Sequence, residues 1–209
     1  MGVRLSCLAT AAVLAASVWL ISTAQDAGQW FRSRDAHQGV VIAARPVPDT
    51  PEAEEIFGKN AAAPRAGFLP VELLIVNERA EPIRVDLERI RVVQESEQFD
   101  QIEIEEIALA LHPLPKKKEP VGSTRIPKKI PKDKNRTKRE EAEAGLRSRQ
   151  LRLERIPPGG QARGYLYFDL RGSSIQMSSA FVYVPEVVVE ESGEKLFYFE
   201  VSLEPYARP

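Results

Sequence analysis

The alternation of apolar and polar residues predicts a β-ribbon between Gly67 and Gln94. The first strand, PVELLIVN at residues 70–77, is apolar on both faces, as expected for a strand buried between two layers. Turn-forming and charged residues at 78–82 end it, and Pro82 cannot donate to a strand ladder. A second strand begins at Ile83, and we expect it to fold back against the first.

The second strand changes phase near Glu88 and Arg89. Its inward positions are Ile83, Val85 and Leu87, but the apolar set then continues at Ile90 and Val92. Two interpretations stay open: one extra residue forms a β-bulge, or the strand ends there and a new one begins.

Before the ribbon, the pattern predicts one edge strand and one short helix. Gly39–Val47 reads as the edge strand, closed by prolines. Thr50 has the character of an N-cap and Pro51 suits the first helical position, so a helix is expected to about Phe57.

After residue 153 the β pattern resumes with several short strands. Residues 157–160, PPGG, are a strong turn signal, and 165–170 alternate cleanly. Residues 180–190 read as a strand notched at Pro185, which suggests an edge position or a bulge. Residues 196–203 return after a turn at 192–193, with one apolar face formed by Phe197, Phe199, Val201 and Leu203.

Six or seven strands without alternating helices predict an all-β antiparallel sandwich. Residues 101–153 are then a long, partly helical and basic insertion. Ile104, Ile107 and Leu111 have helical spacing, which places several of the carboxylates of 95–106 on the wet face of a short helix rather than in a calcium site. A second helix is expected after Asn135, to about Leu153.

The N-terminal residues 1–24 have the composition of an export signal. Arg4 precedes an apolar run, and Ser22-Thr23-Ala24 suits cleavage after Ala24. The alternative is an uncleaved inner-membrane anchor at residues 5–22. The expected organisation is a signal peptide (1–24), an N-terminal extension (25–66) and a β-sandwich domain (67–205) interrupted by the insertion. The expected location is periplasmic or extracellular.

Motifs for chemistry are missing from the sequence. The single cysteine, Cys7, lies in the signal segment, and there are two histidines, His37 and His112. We therefore expect no catalytic residues, no cofactor and no metal site. A pair of carboxylates for hydrolysis stays open as an alternative, because the acids are numerous and their spacing is not visible in the sequence.

The basic arm, residues 113–139, is the most unusual segment. Residues 116–139 hold eight lysines and three arginines against one glutamate and one aspartate, a formal net charge of +9. Proline and a scarcity of apolar residues predict an extended, mobile segment. Its cations are the candidate anion-binding residues: Lys116, Lys117, Lys118, Arg125, Lys128, Lys129, Lys132, Lys134, Arg136, Lys138 and Arg139.

Two segments resemble the small exported immunoglobulin-like domains of bacterial envelopes. One is PVELLIVN at 70–77 followed by Glu81-Pro82-Ile83, and the other is IPPGG at 156–160 followed by GYLYF at 164–168. The resemblance implies an immunoglobulin-like antiparallel β-sandwich with a role in binding, scaffolding or assembly. The basic arm departs from that pattern.

The sequence therefore predicts a non-enzymatic envelope protein that binds or scaffolds a partner. The arm could contact an anionic polymer or phospholipid surface, fold back on the acidic body, or only solubilise the chain. Nucleic acid is not expected as a partner, because no aromatic residues interleave the lysines. The alternatives are a carboxylate hydrolase, or an assembly factor that adds a strand at an uncovered edge beside Gly39–Val47 or Val182–Glu190.

Overall fold

A computed structural model describes residues 31–48, 51–60, 63–115, 133–171, 173 and 177–203. The chain divides into two compact units, Met1–Arg32 and Ser33–Pro209, and all elements below belong to the second unit. The predicted signal segment 1–24, the N-cap Thr50 and the middle of the basic arm lie outside the described residues.

The frame of this second unit is all-β, with eleven strands and three short helices in the described ranges. The strands are β1 Ser33–His37, β2 Val40–Pro46, β3 Phe68–Asn77, β4 Ile83–Val85, β5 Arg91–Gln94, β6 Glu97–Phe99, β7 Arg155–Ile156, β8 Gln161–Asp169, β9 Ala180–Val184, β10 Val187–Val189 and β11 Phe199–Ser202. The helices are α1 Pro51–Phe57, α2 Ile104–Leu111 and α3 Arg136–Arg147.

The strands form three sheets in which every pair is antiparallel. The first sheet has the order β1-β2-β3-β8, the second β11-β9-β5-β6 and the third β10-β4-β7. Buried residues from all three sheets form one hydrophobic cluster, which includes Ile42, Leu73, Ile83, Val92, Phe168 and Phe199. The three sheets therefore share one core.

The phase change in the predicted ribbon is a break between two strands. Val85 of β4 pairs with Val187, whereas Arg91 of β5 pairs with Tyr183. The chain from Val85 to Arg91 is therefore two residues longer than the opposite stretch from Tyr183 to Val187. A 3₁₀ turn at Leu87–Arg89 takes up the excess. The interpretation in which one strand ends and another begins is thus confirmed, and the one-residue bulge is wrong.

The predicted pairing of the ribbon's two strands is also wrong. β3 pairs with β2 and β8, while β4 pairs with β10 and β7 in another sheet. Asn77, which is fully buried, fixes the crossing between the sheets. Its amide donates to the carbonyls of Glu81 at 2.8 Å and Ile156 at 3.1 Å, and its side-chain oxygen accepts from the backbone N–H of Arg79 at 3.0 Å.

The predicted edge strand exists as β2, but it is an interior strand. β1, whose sequence SRDAH carries little hydrophobic signal, pairs with β2 through all five of its own residues. Likewise β9 lies between β11 and β5, and Val188 of β10 bridges to Lys195. Neither stretch named for strand addition is therefore an uncovered edge.

The last predicted strand is shorter than expected, and its apolar face differs at one end. Phe199, Val201 and Leu203 are buried, but Phe197 is 74% exposed. Leu196 is buried in its place, because its backbone N–H pairs with the carbonyl of Val187 before β11 begins.

The three helices cover the outer face of the first sheet. A second hydrophobic cluster lies there, formed mainly by Val47, Ala53, Phe57, Phe68, Ile104, Ile107, Leu146 and Tyr167. β3 is consequently buried on both faces, which explains its continuous apolar sequence.

The sequence predicted the positions of all three helices, with one error at an end. α3 follows Asn135 as expected but stops at Arg147 rather than near Leu153. The chain turns there because Leu151 donates its backbone N–H to the carbonyl of Tyr165 in β8. Among the helices of the described ranges, none is both long and apolar enough to cross a bilayer.

Candidate anion-contact site at the base of the basic arm

α2 and α3 form an antiparallel pair that carries the basic arm at one end. Arg147 at the end of α3 forms an ion pair with Glu105 at the start of α2. Ile107 and Leu146 are fully buried beneath the pair, and the Tyr167 hydroxyl donates to the Leu146 carbonyl at 3.1 Å. The start of α3 therefore lies beside the end of α2, where the arm leaves and returns.

A clasp of side-chain bonds joins the two ends of the arm. The Asn135 amide donates to the carbonyl of Pro113 at 2.9 Å, and Arg139 donates to the carbonyl of His112 at 3.0 Å. Arg139 also forms an ion pair with Asp133. The hydrogen bond from Arg139 lowers the pKa of the Asp133 carboxyl from its usual value, because it favours the ionised carboxylate.

The predicted anion-binding residues divide into three groups. Lys116, Lys117, Lys118, Arg125, Lys128, Lys129 and Lys132 lie outside the described residues. Lys134, Arg136 and Lys138 are exposed at the base of the arm. Arg139 is only 13% exposed and is occupied inside the clasp, so its role here is to hold the arm rather than to meet an external anion.

The predicted extended arm and the predicted helix after Asn135 overlapped at residues 136–139; these residues belong to α3, so the helix is confirmed there and the extended arm is wrong for them. The sequence marked Asn135 as a cap, but its amide crosses to Pro113 instead of capping the helix. The clasp was not foreseen, because its acceptors are backbone carbonyls more than twenty residues away.

The charges at the start of α3 oppose the helix dipole. Its first turn carries Arg136, Lys138 and Arg139 and no acidic residue. The N-terminal end of a helix bears partial positive charge, so cations there carry an electrostatic cost. Glu140 offsets part of this cost through a 2.9 Å ion pair, which raises the pKa of Arg136.

A cavity of about 320 Å³ adjoins the base of the arm. It is lined by Asn60, His112, Lys138, Glu141 and Ala142. The buried Asn60 amide donates to the Ala142 carbonyl at 3.2 Å, which ties the segment after α1 to α3.

Carboxylates collect in a second depression of about 310 Å³. It is lined mainly by Arg84, Asp86, Glu88, Glu154 and Glu186. Lys195, at 2.9 Å, lowers the pKa of Glu186, whereas a glycosidase acid needs a raised pKa. Within the described residues, no group of three or more His, Cys, Asp or Glu side chains could hold a metal ion.

A buried ionic network lies on the first sheet, and no sequence pattern indicated it. Arg45 of β2 donates to Glu72 of β3 at 2.5 Å and 3.1 Å, and it forms an ion pair with Glu52 of α1. Arg163 of β8 donates to the other oxygen of Glu72 at 2.7 Å. Burial by itself lowers the pKa of Arg45, but Glu72 and Glu52 outweigh it and the pKa is raised. This network fastens α1 to the sheet.

Comparison with known protein families and with curated proteins gives no match. One solved structure, the crystal structure of a functionally unknown protein from Listeria monocytogenes EGD-e, is similar over 83% of this chain and 82% of that chain. The identity is 13% and the TM-score is 0.33. A likeness of this size supports no conclusion about fold family or function.

Proposed function

We propose that this protein is an exported, non-enzymatic component of a bacterial cell envelope that binds an anionic surface through its basic arm. Its body is an immunoglobulin-like β-sandwich, and its partner is an anionic polymer or lipid surface, or an envelope protein that carries one. The predicted export signal in residues 1–24 and the exposed cations at the arm's base support this proposal.

The single observation that carries the proposal is the clasp. Asn135 and Arg139 hold both ends of the arm against residues 112–113, so the arm is anchored at a fixed place on the helical layer. Lys134 and Lys138 lie exposed at that place, and the intervening sequence adds further lysines. Cations gathered on one small area attract an anionic surface more strongly than the same charges dispersed.

The direct test neutralises two exposed cations at the base and two elsewhere. K134Q/K138Q is compared with R34Q/R84Q, since all four side chains are exposed and each double variant removes two charges. Binding to soluble polyphosphate, and to vesicles of phosphatidylglycerol and phosphatidylethanolamine, is measured at low and at physiological salt. At about 1 kcal/mol for each cation near an anionic surface, we expect K134Q/K138Q to weaken binding by roughly tenfold or more at low salt.

The control variant R34Q/R84Q is expected to bind as the wild type does. Deletion of residues 116–132 is expected to weaken binding further, and the salt dependence should become shallower in step with the charge removed. Equal losses in both double variants would point to net charge alone and would overturn the proposal, as would unaltered binding after the deletion.

A second role, in which the arm masks the acidic body, is favoured by the depression at Asp86, Glu88 and Glu154. Those three carboxylates are exposed and line the same depression, so a basic segment bound there would meet all three. Zero-length carboxyl–amine cross-linking separates the roles: self-masking predicts cross-links from arm lysines to these residues within one chain, at a yield independent of protein concentration.

A further inference from the structure

Exposed leucines lie at the end of α2, where the arm leaves the helix pair. Leu114, just after the end of α2, is 58% exposed, and Leu109, in the last turn of α2, is 42% exposed. Pro113 between them is also exposed. The apolar side chains that hold α2 to the sheet are Ile104, Ile107 and Ala108, so Leu109 and Leu114 are not needed for that packing.

The clasp places this apolar surface directly against the cationic one. Asn135 donates to the carbonyl of Pro113, and its chain neighbours are Lys134 and Arg136. Leu114 is the residue after Pro113, so exposed leucine and exposed cations occupy neighbouring positions on one small area. Exposed single leucines are ordinary, but leucine next to a cluster of lysine and arginine is the composition of a membrane-surface segment.

The combination of exposed leucines and exposed cations indicates which kind of anionic partner this surface fits. A soluble polyanion offers negative charge but no apolar phase, so the leucines would gain nothing from it. The surface of an anionic bilayer offers both, because lysine and arginine meet the headgroups while apolar side chains enter the acyl boundary.

We propose that the surface formed by Leu109, Pro113, Leu114, Lys134, Arg136 and Lys138 binds the anionic face of a phospholipid bilayer, with the leucines entering the interface. This inference rests on the proposed function and narrows it to lipid. Glu140 pairs with Arg136, so the charges that meet the negative headgroups are mainly those of Lys134 and Lys138, and leucine insertion adds a contribution that salt does not screen.

The test compares L109S and L114S with L153S in the full chain. Leu153 is 47% exposed and lies outside the surface, so it is a matched control for the loss of an exposed leucine. Binding is measured on vesicles of phosphatidylglycerol and phosphatidylcholine, on vesicles of phosphatidylcholine alone, and on soluble polyphosphate. The difference between anionic and neutral vesicles is the quantity compared, because the apolar N-terminal segment contributes to both.

We expect L114S to weaken binding to anionic vesicles by roughly tenfold, about 1.4 kcal/mol, and L109S by somewhat less. Neither should alter binding to polyphosphate, and L153S should alter neither measurement. An environment-sensitive dye on L114C, in a C7S background, should shift its emission to the blue on anionic vesicles, while the same dye on L153C should not.

The outcomes separate the two proposals. If L109S and L114S bind anionic vesicles as the wild type does and the dye does not shift, the bilayer proposal fails. Polyphosphate binding that is still weakened by K134Q/K138Q would then leave the anion-contact role standing. If the wild type binds neither vesicles nor polyphosphate, the proposed function itself is wrong and the bilayer inference fails with it.

Discussion

The guanidinium of Arg139 donates to the backbone carbonyl of His112 at 3.0 Å, which ties the first turn of α3 to the end of α2. The same side chain forms an ion pair with Asp133. One residue thus holds the point where the basic arm departs and the point where it returns.

Replacement of Arg139 by alanine should open the clasp. A hydrogen bond to a charged group contributes about 1.5–3 kcal/mol, so we expect R139A to lower the free energy of unfolding by roughly 1–2 kcal/mol, since the site is partly solvated. Urea denaturation measures this change, and hydrogen exchange should be faster at the amides of His112 and Leu114, the two residues of 112–115 that carry an N–H, and in the first turn of α3.

The control for Arg139 is Arg136, three residues earlier on the same helix. Its side chain is 76% exposed and forms a 2.9 Å ion pair with Glu140. R136A should leave the urea midpoint and the exchange of the His112 and Leu114 amides unchanged, because exposed pairs of this kind contribute little. Similar effects of R139A and R136A would mean that the clasp does not hold the arm.

β1 at the edge of the first sheet and β11 at the edge of the second are joined by side-chain contacts instead of strand pairing. We call this contact the seam. Asp35 of β1 accepts a hydrogen bond from the backbone N–H of Glu200 in β11 at 3.0 Å. Gln38 accepts from the N–H of Phe197 at 2.8 Å, and the His37 ring stacks on Phe199 at 3.9 Å. An edge strand with free N–H groups invites pairing with another chain, and these side chains occupy those groups.

Asparagine at position 35 should preserve the seam and alanine should not. The side-chain oxygen of D35N can still accept from Glu200, whereas D35A leaves that N–H to water or to another strand. We expect faster hydrogen exchange at the Glu200 amide in D35A, and a concentration-dependent increase in self-association by light scattering. D35N should resemble the wild type in both, and equal behaviour of the two variants would remove the protective role of Asp35.

Features set by neighbouring residues were predictable from the sequence. The start of α1 at Pro51 and the helical spacing of Ile104 and Ile107 each follow from a few adjacent positions. The double-sided apolar character of β3 correctly indicated a strand buried on both faces. Such signals are local, because side-chain periodicity and turn chemistry act within one element.

Features set by distant pairing were not predictable. Whether residues 83–85 pair with β3 or with β10 depends on where the crossing at Asn77 leads, which the local pattern does not encode. β1 exists because β2 offers it an edge, and its own sequence carries little apolar signal. At the candidate site, the composition identified the cations, but the acceptors on His112 and Pro113 are backbone groups that every residue has.

Gly164 illustrates how such distant contacts select a residue. A Cβ at this position would lie 2.6 Å from the backbone nitrogen of Leu151 and 2.7 Å from its Cα. The segment after α3 can therefore pass along β8 only if this position carries no side chain. The sequence shows a glycine within a strand, which indicates a close approach but not of which segment.

The buried carboxylate of Glu72 should be the most sensitive charged position in the first sheet. It is 3% exposed and receives hydrogen bonds from Arg45 and Arg163. Removal of one partner from a buried pair costs about 3–5 kcal/mol, so we expect E72L to lower the free energy of unfolding by roughly 3 kcal/mol. The double variant E72L/R45M should be less destabilised than the sum of its single variants, because it leaves no buried charge between β2 and β3.

The control for Glu72 is Glu54, whose carboxylate lies 3.9 Å from Arg65 in an exposed pair. E54Q should leave the urea midpoint unchanged. Additive effects of E72L and R45M in the double-variant cycle would show that the two side chains are not energetically coupled.

Tyrosine ionisation should destabilise the helical layer at high pH. Burial raises the pKa of Tyr165 to about 12, with a smaller contribution from Glu72, and burial also raises the pKa of Tyr167. A folded-state pKa above the unfolded value of about 10 means that the native state binds the proton more tightly. The stabilising contribution is complete below pH 10 and is lost progressively as the pH rises from about 10 to 12.

Substitution of each tyrosine by phenylalanine tests this pH dependence. Y165F should have nearly wild-type stability at pH 7 and a shallower decline in the urea midpoint between pH 10 and 12, because one ionisable phenol is removed. Y167F should also decline less steeply but begin lower at pH 7 by about 1 kcal/mol, since the Tyr167 hydroxyl donates to the Leu146 carbonyl. A decline in Y165F as steep as in the wild type would show that Tyr165 ionises without cost, and that the interface between β8 and the helices is open to water.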